Sequence, residues 1–522
     1  MLDARRGVSP YVIAMVVMLT TFMEVLDTSV ANVSLPHIAG SLSATIQEST
    51  WVLTSYLVAN AVVLPMSGWF SSLLGRKRFY LICVFIFTAS SLLCALAPTL
   101  GWLIFFRILQ GLGGGGLQPT SQSILMESFP PEKHGQAMAL YGIGVVFAPV
   151  IGPVLGGWLT DHFSWHWIFL INIPVGILSM ILSSAILHDP PYLKRLSFKD
   201  SRQMDFIGFG LVVLGLASLE IVLDEGQRHD WFSSPFILCF TALAVLGLVT
   251  MVIRELRHKH PVVNLRLLKD RTFASSNFLL FTLGFVLYGS TFLIPIFLQT
   301  MLGFDATTSG LVMTPGGLVI LVSMPIVGYL VRKVDTRLLI AYGLMMTGFG
   351  LLLMANWNLS IGYWNAAMGR IVQSMGLACL FIPINVMAYA TLSREKANEA
   401  AGLMNLSRNI GGSVGIALLS TLLSRRTQFH QTQLVSHITE SSTPHHGFVA
   451  GVSRALVAKG YGAVDATQHA WGLLWGQTLR QSSLLAMLDV FYVAACISFA
   501  VLPVLFIMRR PKPSADAPVD VH

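Results

Sequence analysis

Long apolar runs recur along almost the whole chain and are separated by short polar segments. Each run holds about 20 residues, the length that an α-helix needs to cross the hydrocarbon core of a bilayer. The pattern therefore predicts an all-α chain with fourteen membrane spans. They are predicted near residues 11–34, 50–71, 79–98, 101–126, 136–159, 166–187, 204–223, 235–253, 272–300, 308–331, 337–356, 362–390, 401–424 and 484–508.

The first run, from Tyr11 to about Leu35, carries two acids where a membrane span usually carries none. Glu24 and Asp27 are three residues apart, so they share one face of a helix. A carboxylate in the hydrocarbon core is costly, and such residues usually line a cavity or a proton path. This helix is therefore the first candidate for a functional role.

Composition supports an integral membrane protein, because 54% of the 522 residues are hydrophobic and only 11% are charged. The mean hydropathy is +0.69. The net charge of +8 does not indicate nucleic-acid binding, since the basic residues fall in short loops between apolar runs. All five cysteines lie inside apolar runs, which argues against both a disulfide framework and a thiolate metal site. The first run is too long and too acidic for a signal peptide.

Lys and Arg are distributed unequally between the loops on the two sides of the predicted spans. One side, called the basic side below, receives most of them, including Arg76, Lys77 and Arg78, whereas the opposite side receives six. Loops rich in Lys and Arg usually stay in the cytoplasm. We therefore predict that the basic side and both termini are cytoplasmic.

Two segments recur after about 260 residues. Residues 107–113 reappear as 370–376, and residues 65–69 reappear as 325–329. Internal repeats of this kind are common in transporters. The predicted domains are an N-terminal six-helix bundle at 1–190, two inserted spans at 191–260 and a C-terminal six-helix bundle at 261–522.

A long polar segment, residues 425–483, separates the last two predicted spans on the side opposite the basic side. It is predicted to be an outer loop, and its residues 468–479 have the pattern of a surface or interfacial helix. A loop of this length is usually functional or disordered. Its five histidines fit no metal-ligand template, so no metal site is predicted.

Several motifs resemble those of one transporter family. Leu-Asp-Thr-Ser-Val-Ala-Asn-Val-Ser-Leu-Pro at 26–36, the Arg-Ile-Leu-Gln-Gly-Leu-Gly run at 107–113 and Ala-Pro-Val-Ile-Gly-Pro-Val-Leu-Gly-Gly at 148–157 occur in order. They resemble the first-span signature, the fourth-span Arg-Gln-Gly motif and the fifth-span antiporter motif of the major facilitator superfamily, in its fourteen-span drug:proton antiporter branch of the EmrB/QacA type. Segments 165–176 and 230–234 are similar to further parts of EmrB-like proteins. The resemblance covers almost the whole chain and implies the major facilitator fold, with two pseudo-symmetric bundles.

The resemblance also implies roles for individual residues. Asp27 is the first choice for the proton-coupling or substrate-binding group; the further candidates for this role are Glu24, Arg107 and Gln110. The antiporter motif, expected to prevent proton leak, comprises Pro149, Gly152, Pro153, Gly156 and Gly157. The expected cytoplasmic gating loop includes Gly68, Gly75, Arg76 and Lys77, with Ser72 where the family usually carries an Asp. Arg370 and Gln373 are secondary candidates.

Alternatives stay open for the charged residues of the spans. Asp27 could be satisfied permanently by a hydrogen-bonded partner, and Arg107 could be a fixed tie to a backbone carbonyl. Glu24 could share protons with Asp27 or reach towards water. Three further charged residues near predicted span ends are expected at the membrane interface: Glu220, Arg408 and Asp489.

The expected function is proton-driven export of amphipathic toxic compounds by alternating access, without enzymatic activity and without a cofactor. The glycines at 113–116 are followed by no Gly-Lys-Ser/Thr, so direct use of ATP is not expected. The resemblance implies a bacterial inner-membrane protein that works with a periplasmic adaptor protein and an outer-membrane channel, or alternatively alone. Two other hypotheses remain, export of a dedicated metabolite such as a siderophore or fatty acid, and a non-transporting membrane receptor or scaffold.

Overall fold

The computed structural model describes residues 9–189, 205–258, 261–392, 396–438 and 443–508. Every regular element in these ranges is helical, and fourteen helices are long and apolar enough to cross a membrane, which confirms the predicted fold class and span count. The chain is thus a multi-pass membrane protein. The spans, α1 to α14 in chain order, are Pro10–Ser41, Trp51–Leu74, Arg76–Ala95, Leu100–Ser128, Pro131–His162, Trp167–Ile186, Phe206–Glu225, Pro235–Arg257, Arg271–Met301, Thr308–Leu330, Thr336–Met354, Tyr363–Tyr389, Ala397–Ser436 and Ala463–Phe506.

The predicted orientation depends partly on basic residues at 1–8, 190–204, 259–260, 393–395 and 509–522, which lie outside the described residues. It therefore stays a prediction. The names "basic side" and "opposite side" are kept below for the two ends of the spans.

Helices α1 to α6 pack among themselves, as do α9 to α14, and the two groups meet where α5 packs on α10 and where α2 and α4 pack on α13. Glycines make the packing inside each group close. A Cβ atom at Gly111 of α4 would lie 2.4 Å from the carbonyl oxygen of Tyr56 in α2, and one at Gly113 would lie 2.7 Å from the amide nitrogen of Phe87 in α3. The glycine-rich run of α4 is therefore a packing surface, in keeping with small residues at membrane helix contacts.

The prediction of a long outer loop at 425–483 is wrong. Helix α13 continues to Ser436, a separate helix covers Thr443–Ala458, and α14 already begins at Ala463, so that residues 468–479 belong to a continuous span helix. At 1.5 Å per residue the 40 residues of α13 extend about 60 Å, twice the hydrocarbon thickness. The prediction failed because hydropathy marks where a helix leaves the membrane, whereas the helix itself goes on in water.

The inserted helix α7 lies between the two groups. Asp224 of α7 accepts a hydrogen bond from the hydroxyl of Thr54 in α2, and Glu220 of α7 accepts one from the hydroxyl of Ser413 in α13 at 2.5 Å. Beyond the end of α7, the Trp231 indole donates to Thr421 of α13 at 3.0 Å. Glu220 is only 4% exposed and faces α13, and its predicted position near the membrane interface stays a prediction.

At its basic-side end, α7 is fixed to α8. The Asp205 side chain caps α7 by accepting from the Gly208 amide at 2.8 Å, and it also accepts from Arg254 of α8 at 2.7 Å. Burial raises the pKa of Asp205, but the hydrogen bonds from Arg254 and Gly208 outweigh it and leave the pKa below its ordinary value.

Candidate functional site

Asp27 lies inside the first helix group, bonded on both carboxylate oxygens. Arg107 of α4 donates to one oxygen at 2.5 Å, while Gln110 of α4 and Asn172 of α6 donate to the other at 2.9 and 2.7 Å. Asp27 is 2% exposed, and Arg107 and Gln110 are fully buried. The structure therefore brings together three of the residues that the sequence grouped, and it adds Asn172, which the sequence analysis missed.

Arg107 is held from several directions. Its Nε donates to the carbonyl oxygen of Val52 at 2.9 Å, its Nη1 donates to Gln110 at 2.8 Å, and its guanidinium lies 4.3 Å from the ring centroid of Tyr56. A buried guanidinium needs this combination of an anion and carbonyl acceptors. Arg107 thus pairs with an acid and also bonds to a backbone carbonyl, while its role in proton coupling stays a prediction.

Glu24 belongs to a second cluster, one helical turn nearer the basic side. The hydroxyl of Tyr56, the amide of Asn60 and the amide of Gln118 donate to its carboxylate, at 3.0, 3.1 and 2.5 Å. The side chain does not reach towards water, because Glu24 is 2% exposed. All three of these donors are neutral.

The Glu24 cluster reaches the other helix group through one more residue. Arg408 of α13 donates to the side-chain carbonyl oxygen of Gln118, the same residue whose amide donates to Glu24. Arg408 is 2% exposed, so its predicted interfacial position is wrong. It was misplaced because α13 begins at Ala397, which puts Arg408 three turns inside the helix. A polar chain Glu24–Gln118–Arg408 therefore connects α1 with α13.

Further amide contacts join the groups on the basic side of this chain. Gln122 of α4 donates to Asn385 of α12 at 2.5 Å and accepts from Asn405 of α13 at 2.8 Å. A Cβ atom at Gly135 of α5 would lie 2.6 Å from the Gly328 carbonyl oxygen of α10. The groups are therefore in close contact on the basic side.

The residues of the predicted antiporter motif lie along α5 against α1. A Cβ atom at Gly152 would lie 2.3 Å from the Ser29 hydroxyl oxygen, and one at Gly156 would lie 3.0 Å from the Val30 carbonyl oxygen. The Ser29 hydroxyl donates to the Pro149 carbonyl oxygen at 3.2 Å. Gly157 meets nothing within 4 Å, so it takes no part in this contact.

Pro153 lies inside α5, and the preceding residues Ile143–Phe147 form a π-helical turn. Both features are known causes of a bend in a helix. The motif therefore combines close packing on α1 with an irregular backbone in the same span.

The predicted gating loop joins α2 to α3 on the basic side. Gly75, with φ of 87°, makes the turn between the helices. Arg76 forms an ion pair with Glu127 of α4, and the Lys77 ammonium donates to the Ser184 carbonyl oxygen at 2.6 Å. A Cβ atom at Gly68 would lie 3.0 Å from the backbone of Glu399 in α13.

Ser72, at the position where the family usually carries an Asp, donates to the Trp69 carbonyl oxygen of its own helix at 2.8 Å. It makes no bond to the second helix group among the described residues. The contact between this loop and α13 instead runs through Gly68 and through Asn398, whose amide donates to the Ser67 carbonyl oxygen at 3.0 Å.

The sequence profile of the Major Facilitator Superfamily matches residues 17–416. The chain belongs to this superfamily. Among solved structures, the human organic anion transporter MFSD10 superposes with a TM-score of 0.59 at 14% identity, over 96% of this chain and all of the other, so the major facilitator fold is shown as well.

Two relatives place the chain in its branch of the superfamily. The multidrug export protein EmrB of Haemophilus influenzae is 35% identical over 94% of both chains. The fatty acid resistance protein FarB of Neisseria gonorrhoeae is 33% identical over 94% of this chain and 95% of its own. The predicted resemblance to EmrB-type members of the superfamily is confirmed.

The second helix group carries the superfamily repeat of the Arg107 site. Arg370 and Gln373 of α12 are fully buried and bonded to each other at 2.7 Å, as Arg107 and Gln110 are in α4. Their other partners are the hydroxyls of Ser290 and Thr291 in α9. The two secondary candidates thus form a buried site with neutral partners.

Proposed function

We propose that the chain exports chemically varied amphipathic compounds across a bacterial inner membrane, with its basic side in the cytoplasm, driven by protons that move inward. The names of the relatives support this proposal, because EmrB is a multidrug export protein. FarB is a fatty acid resistance protein, so export of fatty acids is the second candidate function. One proton that crosses a potential of 100 mV supplies about 2.3 kcal/mol.

The observation that carries the proposal is the polar chain Glu24–Gln118–Arg408. In this chain, a titratable group of the first helix group is one side chain away from a charge of the second. If the groups move apart, Arg408 leaves Gln118, and the donors around Glu24 are rearranged. Proton uptake at Glu24 and relative movement of the groups therefore depend on each other.

Glu24 fits this role better than Asp27, which was the first choice from the sequence. A proton on Asp27 would leave the Arg107 guanidinium buried without its anion, a loss of about 3–5 kcal/mol for such pairs. A proton on Glu24 removes no direct ion pair, because Tyr56, Asn60 and Gln118 are neutral. We infer that Glu24 exchanges the proton and that Asp27 holds Arg107 in place.

The test is accumulation of ethidium in proteoliposomes under an imposed proton gradient. We expect Glu24→Gln to abolish accumulation against the gradient while downhill exchange of ethidium continues, because binding and movement no longer require a proton. Glu48→Gln is the matched control, since Glu48 lies in the short helix Ile46–Ser49 between α1 and α2, outside the spans. Accumulation by Glu24→Gln at the wild-type level would refute the assignment. If the wild type accumulates nothing, the receptor or scaffold hypothesis is favoured.

We also propose that a periplasmic adaptor protein binds the outer bundle, defined as Thr443–Ala458 with the ends of α13 and α14 beside it. Val449, Ala470 and Leu474 form its small core. Trp471 and Trp475 are 45% and 47% exposed. Exposed aromatic side chains on a protruding bundle are typical of a binding surface.

The adaptor proposal is tested by affinity capture from the native host with Trp471→Ser/Trp475→Ser. We expect the variant to lose a captured adaptor that the wild type retains. Trp364→Ser is the control. Trp364 lies at the start of α12, on the same side of the spans as the outer bundle but outside it, and it is 68% exposed. Equal capture by all three proteins would contradict the proposed surface.

A further inference from the structure

The central residues of the Arg107 site have sequence counterparts in the second helix group. Arg370 follows Arg107 by 263 positions, and Gln373 follows Gln110 by the same number. The same step leads from Asp27 to Ser290. The second helix group therefore repeats the arginine and the glutamine but has a hydroxyl in place of the carboxylate.

The contacts around Arg370 follow this exchange. Its Nη1 donates to Gln373 at 2.7 Å and to the Ser290 hydroxyl at 3.3 Å, and its Nη2 donates to the Thr291 hydroxyl at 3.0 Å. Gln373 donates to Ser290 at 2.8 Å, which fixes that hydroxyl. No carboxylate pairs with Arg370 within the part of the chain that the structure describes. The guanidinium is fully buried, so its charge has no counter-ion there.

Two polar atoms at this site have no hydrogen-bond partner in the described residues, namely Arg370 Nε and the Ser374 hydroxyl oxygen. Both residues border Gly316 of α10, where a Cβ atom would lie 2.6 Å from Arg370 Cγ and 2.9 Å from Ser374 Oγ. Buried polar atoms are almost always bonded, so these two atoms, beside a buried cation without a counter-ion among the described residues, support binding of an anionic acceptor at this site.

The chemistry of the donors selects the kind of anion. A guanidinium presents parallel N–H groups that match the two oxygens of a carboxylate. The surrounding spans are apolar, so the remainder of the ligand is apolar too. Gly317, next to Gly316, contacts Val150 of α5, so the site lies beside the surface along which the helix groups meet.

We propose that Arg370, together with Ser290 and Ser374, binds the carboxylate of amphipathic acids during export. This inference rests on the proposed transport function and deepens it, because it assigns acidic substrates to a site in the second helix group. Ser290 is the determinant of this specificity. A carboxylate at its position would supply an internal counter-ion, as Asp27 does for Arg107.

The test installs that internal carboxylate. Ser290→Asp recreates the ion pair of the first helix group, and Ser290→Asn is the neutral control of the same size. Binding of decanoate and of its uncharged analogue decanamide to the purified full-length chain is measured by titration calorimetry. We expect Ser290→Asp to weaken decanoate binding by about tenfold or more, because the introduced carboxylate competes for the charged donors, and to weaken decanamide binding much less. Ser290→Asn, which has no charge, should weaken decanoate binding clearly less than Ser290→Asp does.

Equal weakening of decanoate binding by Ser290→Asp and Ser290→Asn would overturn the proposal, as would decanoate binding by Ser290→Asp at the wild-type level. Binding of chloride but not of decanoate to the wild type would overturn it too, in favour of a small inorganic anion. A thermal unfolding transition of purified Ser290→Asp close to that of the wild type serves as the folding control. Failure of the wild type to accumulate ethidium under a proton gradient would count against the proposed function, whereas the decanoate titration still reports on this site.

Discussion

The buried pair of Asp27 and Arg107 permits a quantitative test of how the first helix group is held together. The two side chains are 2.5 Å apart and neither is exposed by more than 2%. Asp27→Asn removes the anion and leaves the Arg107 guanidinium in place. Arg107→Gln removes the cation and leaves the Asp27 carboxylate in place. Each single variant should lose about 3–5 kcal/mol of unfolding free energy, because it leaves one buried charge alone.

The double variant Asp27→Asn/Arg107→Gln leaves no buried charge at the site. Its loss should therefore be smaller than the sum of the two single losses by about 3 kcal/mol, the upper end of measured couplings between contacting residues. The free energies are obtained from titration with sodium dodecyl sulfate in mixed micelles, followed by tryptophan fluorescence. Additive losses would refute the reasoning, since they would mean that the two charges do not stabilise each other.

Three further predictions concern packing, pH and movement. Gly156→Ala should lower the free energy of unfolding by about 1–3 kcal/mol, because the added Cβ atom would lie 3.0 Å from the backbone of α1. Gly157→Ala is the control and should leave this free energy unchanged, because no atom lies within 4 Å of its Cβ position. Because the pKa of Asp205 is lowered in the folded chain, its carboxylate stabilises the fold at pH values above about 4, and this stabilisation is lost as the pH falls further. Thermal melts of the wild type should therefore show a loss of stability in acid that Asp205→Asn does not show, because this variant lacks the carboxylate at every pH. A disulfide between Glu220→Cys and Ser413→Cys should stop ethidium accumulation until it is reduced, if α7 moves relative to α13; undiminished transport by the oxidised protein would contradict this.

The spans could be predicted from the sequence because their signal is simple. An apolar run of membrane length has one stable arrangement in a bilayer, and all fourteen predicted spans are present. The ends were harder, as α13 illustrates, because its outer part carries polar residues that suit a helix in water as well as a loop. Hydropathy contains no information that separates these two cases.

The site was predictable in part. Glu24, Asp27 and Arg107 were found because a charge in an apolar run is conspicuous. Asn172 and Gln118 were missed, because amides are tolerated in many spans and only the fold shows which of them face a carboxylate. The exchange of Asp27 for Ser290 is visible in the sequence when the offset of 263 residues between Arg107 and Arg370 is also applied to residues outside the two matching motifs.

Helix α7 makes the two flanks of the molecule unequal. Along one flank α5 and α10 touch directly, whereas along the other α7 fills the seam between α2 and α13 in the leaflet opposite the basic side. In that leaflet, the seam between the two helix groups is therefore a direct helix-to-helix contact on one flank only, because an additional helix covers it on the other.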